Sequence, residues 1–272
     1  MGGDLDCKRI KKAALELARA AGEIQMRKWG KRLDIRWKGA TDPVTEVDKA
    51  CEALALKVVS RNFPDHAFVG EETGVHGDPA SPIQWFVDPL DGTVNYSHGL
   101  PQFSVSIGVR EKGRGLIGVV HAPALKETYV AEAGKGAFLN GRRVRVSRRS
   151  RPDECLLVSG FSYRARETGE NTREWMEFMR GFQALRRLGC ASLDYCWTAA
   201  GRFEGFWEYG LKAWDNAAGE LVVREAGGKV SNLEGRPLDI TKPGVLATNG
   251  LIHARCLATL KRALGRDLRW KF

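Results

Sequence analysis

The sequence predicts an α+β fold of layered helices and sheets, with a largely antiparallel N-terminal half and a C-terminal half of α/β character. Three observations carry this. The chain opens with helical periodicity, changes to period-two strands near residue 67, and alternates strand with helix after about residue 150. In the first segment Ile10, Ala14, Leu17, Ala21 and Ile24 recur at spacings of four and three, and Gly30 closes the run. Lys31 to Pro43 is rich in glycine and charge. A second helix places Val47, Cys51, Leu54 and Val58 on one face and ends before Pro64. The two helices thus flank a polar loop carrying Lys38, Asp42 and Asp48.

From Ala67 the period shortens. Ala67-Phe68-Val69 and Trp85-Phe86-Val87 are short apolar strands that run directly into acids. Phe103 to Val109 and Leu116 to Val120 alternate, and Asn140-Gly141 signals a tight hairpin. In the second half, strands are expected at 156–158, 203–209 and 245–248. Helices are expected at 171–182, 192–200, 216–226 and 251–264, with Gly227-Gly228 stopping the third. A soft boundary falls near residue 150, giving halves 1–150 and 151–272 of one continuous unit.

With 272 residues, the chain is long enough to bury about three quarters of its unfolded surface without covalent staples. Nothing approaches 18 consecutive apolar residues, so no membrane span is expected. MGGDLDCKRIKKAAL lacks the apolar core of a signal peptide, and Asp6 stands where myristoylation needs Ser or Thr. None of the six cysteines forms a C-x-x-C pair. They read as reduced thiols in a cytoplasmic protein rather than disulfides or a zinc site. The net charge is +10, and much of the surplus lies in Arg142, Arg143, Arg145, Arg148, Arg149 and Arg151. Such a cluster attracts anions, nucleic acid among them, but no aromatics are interleaved to stack bases, and a solvated loop is the simpler reading.

The chemistry-bearing residues end apolar runs. Phe68-Val69-Gly70 leads to Glu71-Glu72, Trp85-Phe86-Val87 leads to Asp88 and Asp91, and Trp214 leads to Asp215 at a helix start. Carboxylates at the ends of buried strands are costly and repel one another unless a cation compensates them. Mg²⁺ suits this setting, because it takes oxygen ligands, keeps several waters and partners phosphate. Within Asp88-Pro89-Leu90-Asp91-Gly92-Thr93, Pro89 stiffens the turn and Gly92 admits close backbone approach. The N–H groups of Gly92 and Thr93 would face an anion if Asp91 opens a helical turn.

Gly70-Glu71-Glu72, Asp88 to Asn95 and Trp214-Asp215-Asn216-Ala217-Ala218-Gly219 together resemble the inositol monophosphatase family, whose pattern is G-E-E, D-P-[IL]-D-G-T-x-N and W-D-x-A-A-G. The likeness extends to Val44-Thr45-Glu46-Val47-Asp48 and Gly227-Gly228. It implies a layered αβαβα sandwich of the inositol monophosphatase and fructose-1,6-bisphosphatase type. It also implies phosphate monoester hydrolysis with two to three Mg²⁺ ions, lithium sensitivity and a homodimer.

The resemblance further implies residue roles. Glu71, Asp88 and the carbonyl of Leu90 hold a first ion, and Asp88, Asp91 and Asp215 a second. A third ion rests on Glu71 through waters. Gly92 and Thr93 bind phosphate through backbone amides, Thr93 and Glu71 orient water, Asp48 pairs with Thr93 or with water on a metal, and Lys38 sits on a mobile loop. Glu208 and the backbone of Gly189-Cys190-Ala191 contact a polyol, beside the substrate-facing Asp91 and Asp215. The family often has Thr or Ser where Cys190 stands. Asp-Gly-Thr-Val-Asn-Tyr suits the inositol phosphatase branch over the nucleotide bisphosphatase branch, so myo-inositol monophosphate is the expected substrate. Fructose 1,6-bisphosphate, histidinol phosphate and 3′-phosphoadenosine nucleotides are the alternatives, as is an added RNA-binding role for the arginine cluster.

Two motifs are set aside. Gly113-Arg114-Gly115-Leu116-Ile117-Gly118 matches a dinucleotide fingerprint, but strand-like residues follow it where a helix is needed, so it reads as a hairpin turn. His98 lies near the acidic motif, but the metals implied prefer oxygen ligands.

Overall fold

A computed structural model describes residues 2–37 and 43–264. Lys38 and Asp42 lie outside the described residues. The chain begins with helix α1 (Gly2–Lys28), a two-stranded antiparallel ribbon of β1 (Ile35–Trp37) and β2 (Pro43–Thr45), and helix α2 (Glu46–Asn62). Strands β3 (Ala67–Gly70), β4 (Gly74–His76) and β5 (Ile83–Asp91) follow, then the one-turn helix α3 (Thr93–Ser97). A meander of β6 (Ser104–Glu111), β7 (Arg114–Ala122), β8 (Glu127–Glu132), β9 (Gly136–Leu139) and β10 (Arg142–Val144) completes an eight-stranded sheet ordered β10-β9-β8-β7-β6-β5-β3-β4. Its pairings are antiparallel apart from β3 with β5.

The second half contains β11 (Leu156–Ser159), α4 (Ala165–Thr168), α5 (Thr172–Gly181), β12 (Ala184–Arg186), α6 (Ala191–Ala199), β13 (Gly205–Glu208), α7 (Ala213–Glu225), β14 (Lys229–Ser231), β15 (Val245–Thr248) and α8 (His253–Leu264). Its five strands are ordered β12-β11-β13-β15-β14. The sheet is mixed: β11 is parallel to β12 and β13, whereas β15 is antiparallel to β13 and β14.

Side-chain alternation explains the layering. Val119 belongs to the buried cluster that holds Ile10, Leu17 and Val47 of the first two helices, while its neighbour Val120 belongs to the one that holds Leu193 of α6 and Val222 of α7. In the second sheet Phe206 joins that same inner cluster, and Trp207 joins Phe178 of α5 and Leu260 of α8. Successive residues of a strand face opposite sides, so both sheets are covered on both faces. The result is the expected αβαβα sandwich, with α6 and α7 as the shared middle layer. The predicted hairpins form as turns of positive φ, at Asn140 (49°) and Gly141 (80°) and at Lys112 (49°) and Gly113 (77°). The glycine-rich run at 113–118 thus enters β7, with no helix and no dinucleotide cradle.

Several expectations shift. The buried side of α2 is Val47, Asp48, Cys51, Glu52, Ala55 and Val59, rotated from the apolar stripe read through Leu54 and Val58. In α1 it is Gln25 rather than Ile24 that is fully buried. Asp48 stands in the first turn of α2, not on the preceding loop. Helix α7 starts at Ala213, so Asp215 is its third residue. Strands β1, β2, β4, β8, β12 and β14 are not among those the sequence predicts; all but β8 are three residues long, too short to show periodicity. All six cysteines are free thiols, and no helix among the described residues is long and apolar enough to cross a membrane.

Candidate active site

Asp88 and Asp91 would point to opposite faces of a regular strand. The pairing of β5 with β6 prevents this: Asp88 pairs with Ser106 and Asp91 with Ser104, so three steps on β5 match two on β6. Such a bulge re-aims side chains, and Pro89, which has no N–H to give the ladder, stands inside it. The Leu90 N–H donates to Asp88 Oδ1 at 2.9 Å, folding the turn on itself. From α1, Gln25 Nε2 donates to the Pro89 carbonyl at 2.9 Å, and Tyr96 Oη donates to the Gln25 carbonyl at 2.6 Å. Gly92 then takes φ of +87°, and a Cβ there would lie 2.7 Å from the Gln102 carbonyl oxygen, so glycine is required.

Thr93 follows and connects three elements. Its hydroxyl lies 2.9 Å from the Leu90 carbonyl and 3.2 Å from Asp48 Oδ1. The other Asp48 oxygen accepts from the Thr45 N–H at 2.8 Å and the Thr45 hydroxyl at 2.6 Å, within the capping box of α2. Burial pushes the Asp48 carboxyl up to about 6. Asn95 Nδ2 donates to the carbonyls of Gln102 and Leu188, both at 2.8 Å, and so fastens α3 to the segment before α6.

A cavity of about 320 Å³ lies over this turn, lined by Glu71, Asp88, Leu90, Asp91, Gly92 and Thr93 from the first half and by Gly189, Cys190, Ala191, Glu208 and Asp215 from the second. Asp48 lies behind Thr93 and does not line it. Burial, with the neighbouring charges of Glu71, Asp91 and Asp215, pushes Asp88 well above the usual carboxylate range. Asp215 is raised in the same way by burial, Asp91 and Glu71, although it accepts from the Lys212 N–H at 2.6 Å. Burial also raises Glu208, with Asp91 and Asp215 adding to it. Among the described residues no three His, Cys, Asp or Glu side chains close into a ready-made metal cage. The donors are oxygens around an open cavity, and their mutual repulsion is relieved by a hard cation that retains water. The residues present therefore fit Mg²⁺.

Some functional positions were not legible in sequence. Glu52 of α2 accepts from the N–H groups of Glu72 at 2.8 Å and Thr73 at 2.6 Å, clamping the turn that carries Glu71. Gly160 makes room for Glu208: a Cβ there would lie 2.1 Å from Glu208 Oε1. Asp194 of α6 is buried, and neither of its carboxylate oxygens has a hydrogen-bond partner; burial and the charges of Glu208 and Asp91 raise it well above the usual range. Arg187 lines the cavity from an exposed position. His98 is exposed at the C-terminus of α3 and does not line the cavity. Replacing Glu52 with alanine leaves two N–H groups without their acceptor, so the folded state is expected to lose about 2–3 kcal/mol. Urea denaturation checks this, and a loss below about 0.5 kcal/mol would remove the clamp from the account.

The model of the inositol monophosphatase family matches residues 6–264. The chain belongs to the inositol monophosphatase family. It is 41% identical over 259 residues to an inositol-1-monophosphatase of Synechocystis, covering 94% of this chain and 89% of that one. It is also 41% identical over 266 residues to the Nus factor SuhB of Pseudomonas aeruginosa, covering 94% and 97%. Among solved structures, an inositol monophosphatase from Anabaena superposes with a TM-score of 0.87 at 38% identity, over 94% of this chain and 97% of that chain. The family places the chain among the phosphatases, with the sandwich fold described above.

Proposed function

We propose that the enzyme hydrolyses myo-inositol monophosphate to myo-inositol and phosphate with Mg²⁺ as its metal. The observation that carries this reading is that Glu71, Asp88, Asp91, Asp215, the Gly92–Thr93 turn and Glu208 line one cavity. Glu71, Asp88, the Leu90 carbonyl, Asp91 and Asp215 hold two to three ions. Bound Mg²⁺ supplies charge neutralisation of the phosphate and a water acidic enough to attack near neutral pH. The amides of Gly92 and Thr93 hold the phosphate. Thr93 and Glu71 orient the attacking water, with Asp48 fixing the Thr93 hydroxyl. Glu208 accepts hydrogen bonds from ring hydroxyls, and the backbone at Gly189–Ala191 borders the ring.

The test is phosphate release with Mg²⁺ from inositol 1-phosphate, fructose 1,6-bisphosphate, histidinol phosphate and 3′-phosphoadenosine nucleotides. The largest kcat/KM is expected for inositol 1-phosphate. A larger value for histidinol phosphate would overturn the substrate and keep the chemistry. A homodimer is part of the same reading.

A second reading adds RNA binding. Its support is that all six arginines between Arg142 and Arg151 are exposed, together with the relatives named Nus factor SuhB. Some of that charge is already engaged: Arg149 pairs with Glu204 at 3.1 Å and Arg151 with Asp153 at 2.6 Å. RNA affinity that falls steeply with salt and drops on Arg→Ala changes would support it.

A further inference from the structure

The way Asp91 is held shows an asymmetry between its two oxygens. Asp91 Oδ2 receives the Ser192 N–H at 2.6 Å, the Ser192 hydroxyl at 2.6 Å and the Cys190 thiol at 3.2 Å. A carboxylate oxygen offers two lone pairs, so these donors use up Oδ2. Asp91 Oδ1 receives only the Ala191 N–H, at 3.3 Å. Oδ1 is therefore the oxygen with capacity left for a ligand from the cavity.

The Ser192 hydroxyl has one hydrogen. Given to Asp91 Oδ2, it leaves the 2.6 Å contact between Ser104 and Ser192 to run from the Ser104 hydroxyl. The result is a directed chain, Ser104 to Ser192 to Asp91, in which both serines are fully buried. Aligned bonds of this kind polarise one another in a dry setting. The chain also crosses layers, because Ser104 lies on β6, Asp91 ends β5 and Ser192 lies in the first turn of α6.

We propose that Ser192, backed by Ser104, is a positioning residue that fixes Asp91 as a one-oxygen ligand and thereby sets how tightly the site holds its divalent cation. The proposal rests on the metal-dependent reading above. The Ser192 N–H survives any side-chain change, so the hydroxyl contribution can be separated from the helix-end contribution. Without the hydroxyl, Asp91 keeps the Ser192 and Ala191 N–H groups and the Cys190 thiol, but is held less firmly before the ion arrives. Changing a group that orients a metal ligand weakens metal affinity by about ten- to a hundredfold.

The experiment is Mn²⁺ binding to the purified enzyme, read by electron paramagnetic resonance and calorimetry, for the unaltered chain, Ser192→Ala and Ser104→Ala. Ser192→Ala is expected to raise the Mn²⁺ dissociation constant about tenfold. Ser104→Ala is expected to raise it by less, because it keeps the Ser192 bond to Asp91 and loses the donor behind it, together with a 3.6 Å contact to the Cys190 thiol. In phosphate release, the Mg²⁺ concentration for half-maximal rate should rise with the same order, and by a larger factor than kcat falls. Melting temperatures without metal identify a variant that fails to fold, and Ser104→Ala then carries the test. An unaltered enzyme that binds no Mn²⁺ would sink the metal-dependent reading itself. Normal binding with variants within twofold of it would sink only the proposal for Ser192, as would a Ser104→Ala effect as large as that of Ser192→Ala.

Discussion

Replacing Asp91 by asparagine is expected to abolish turnover and leave the fold intact. Asparagine keeps the shape and one carbonyl oxygen, which can take the donors that now converge on Asp91 Oδ2 from Ser192 and Cys190. The other oxygen becomes an NH₂ group, which presents hydrogens where a cation needs a lone pair. The change also removes a negative charge from a cavity whose other acids are Glu71, Asp88, Glu208 and Asp215. Changing a group that only supports a metal ligand costs about ten- to a hundredfold, and loss of a direct ligand should cost at least that. Phosphate release at saturating Mg²⁺ checks the rate, and thermal unfolding checks the fold. Near-normal turnover would remove Asp91 from the metal site.

The second large effect is expected from Gly108→Val, which touches no acidic residue. Gly108 lies on β6 where α7 crosses. Even an added Cβ would lie 2.5 Å from the Ala217 Cβ and 2.7 Å from the Ala218 backbone nitrogen. Backbone cannot turn aside as a flexible side chain can, so α7 must move off the sheet. Overpacking of this kind costs about 1–3 kcal/mol, and valine adds two further methyl groups. The same helix carries Asp215, and the Ser106 hydroxyl on β6 donates to the Trp214 carbonyl at 3.4 Å. A displaced α7 therefore carries a candidate metal ligand away from Asp88. Denaturant unfolding and the Mg²⁺ dependence of phosphate release should change together, with Gly108→Ala milder in both. Unchanged stability would show that the sheet and α7 have slack that the close approach denies.

The legible part of the site was the part written in contiguous residues. Asp88 to Thr93 places a proline, two acids and a glycine in one stretch, and the physical consequences of each are local. The bulge that turns both acids to one side follows from Pro89 and needs only the neighbouring strand. The fold class was legible for a similar reason, since helical and strand periods are local signals. What escaped is non-local. Ser192 lies 101 residues from Asp91, and nothing near it in sequence marks it as a partner. Glu52 escaped for a subtler reason. It lies with Asp48 on the buried side of α2, where their polarity made that face look solvent-facing and rotated the predicted apolar stripe. Gln25 did the same in α1, where it is buried and holds the Pro89 carbonyl. In each case a local rule failed at a residue that supports the site, which is where such failures concentrate.

In the proposed mechanism one cavity, built on Asp88 to Thr93 and completed by Asp215, holds the divalent cations. Anomalous diffraction from crystals of the enzyme soaked in Mn²⁺ tests this directly. Anomalous peaks are expected in that cavity, within ligand distance of Glu71, Asp88, Asp91 and Asp215, with Asp91 contributing Oδ1 alone. Peaks elsewhere, or an active Mn²⁺-soaked enzyme with no peak among these carboxylates, would contradict it.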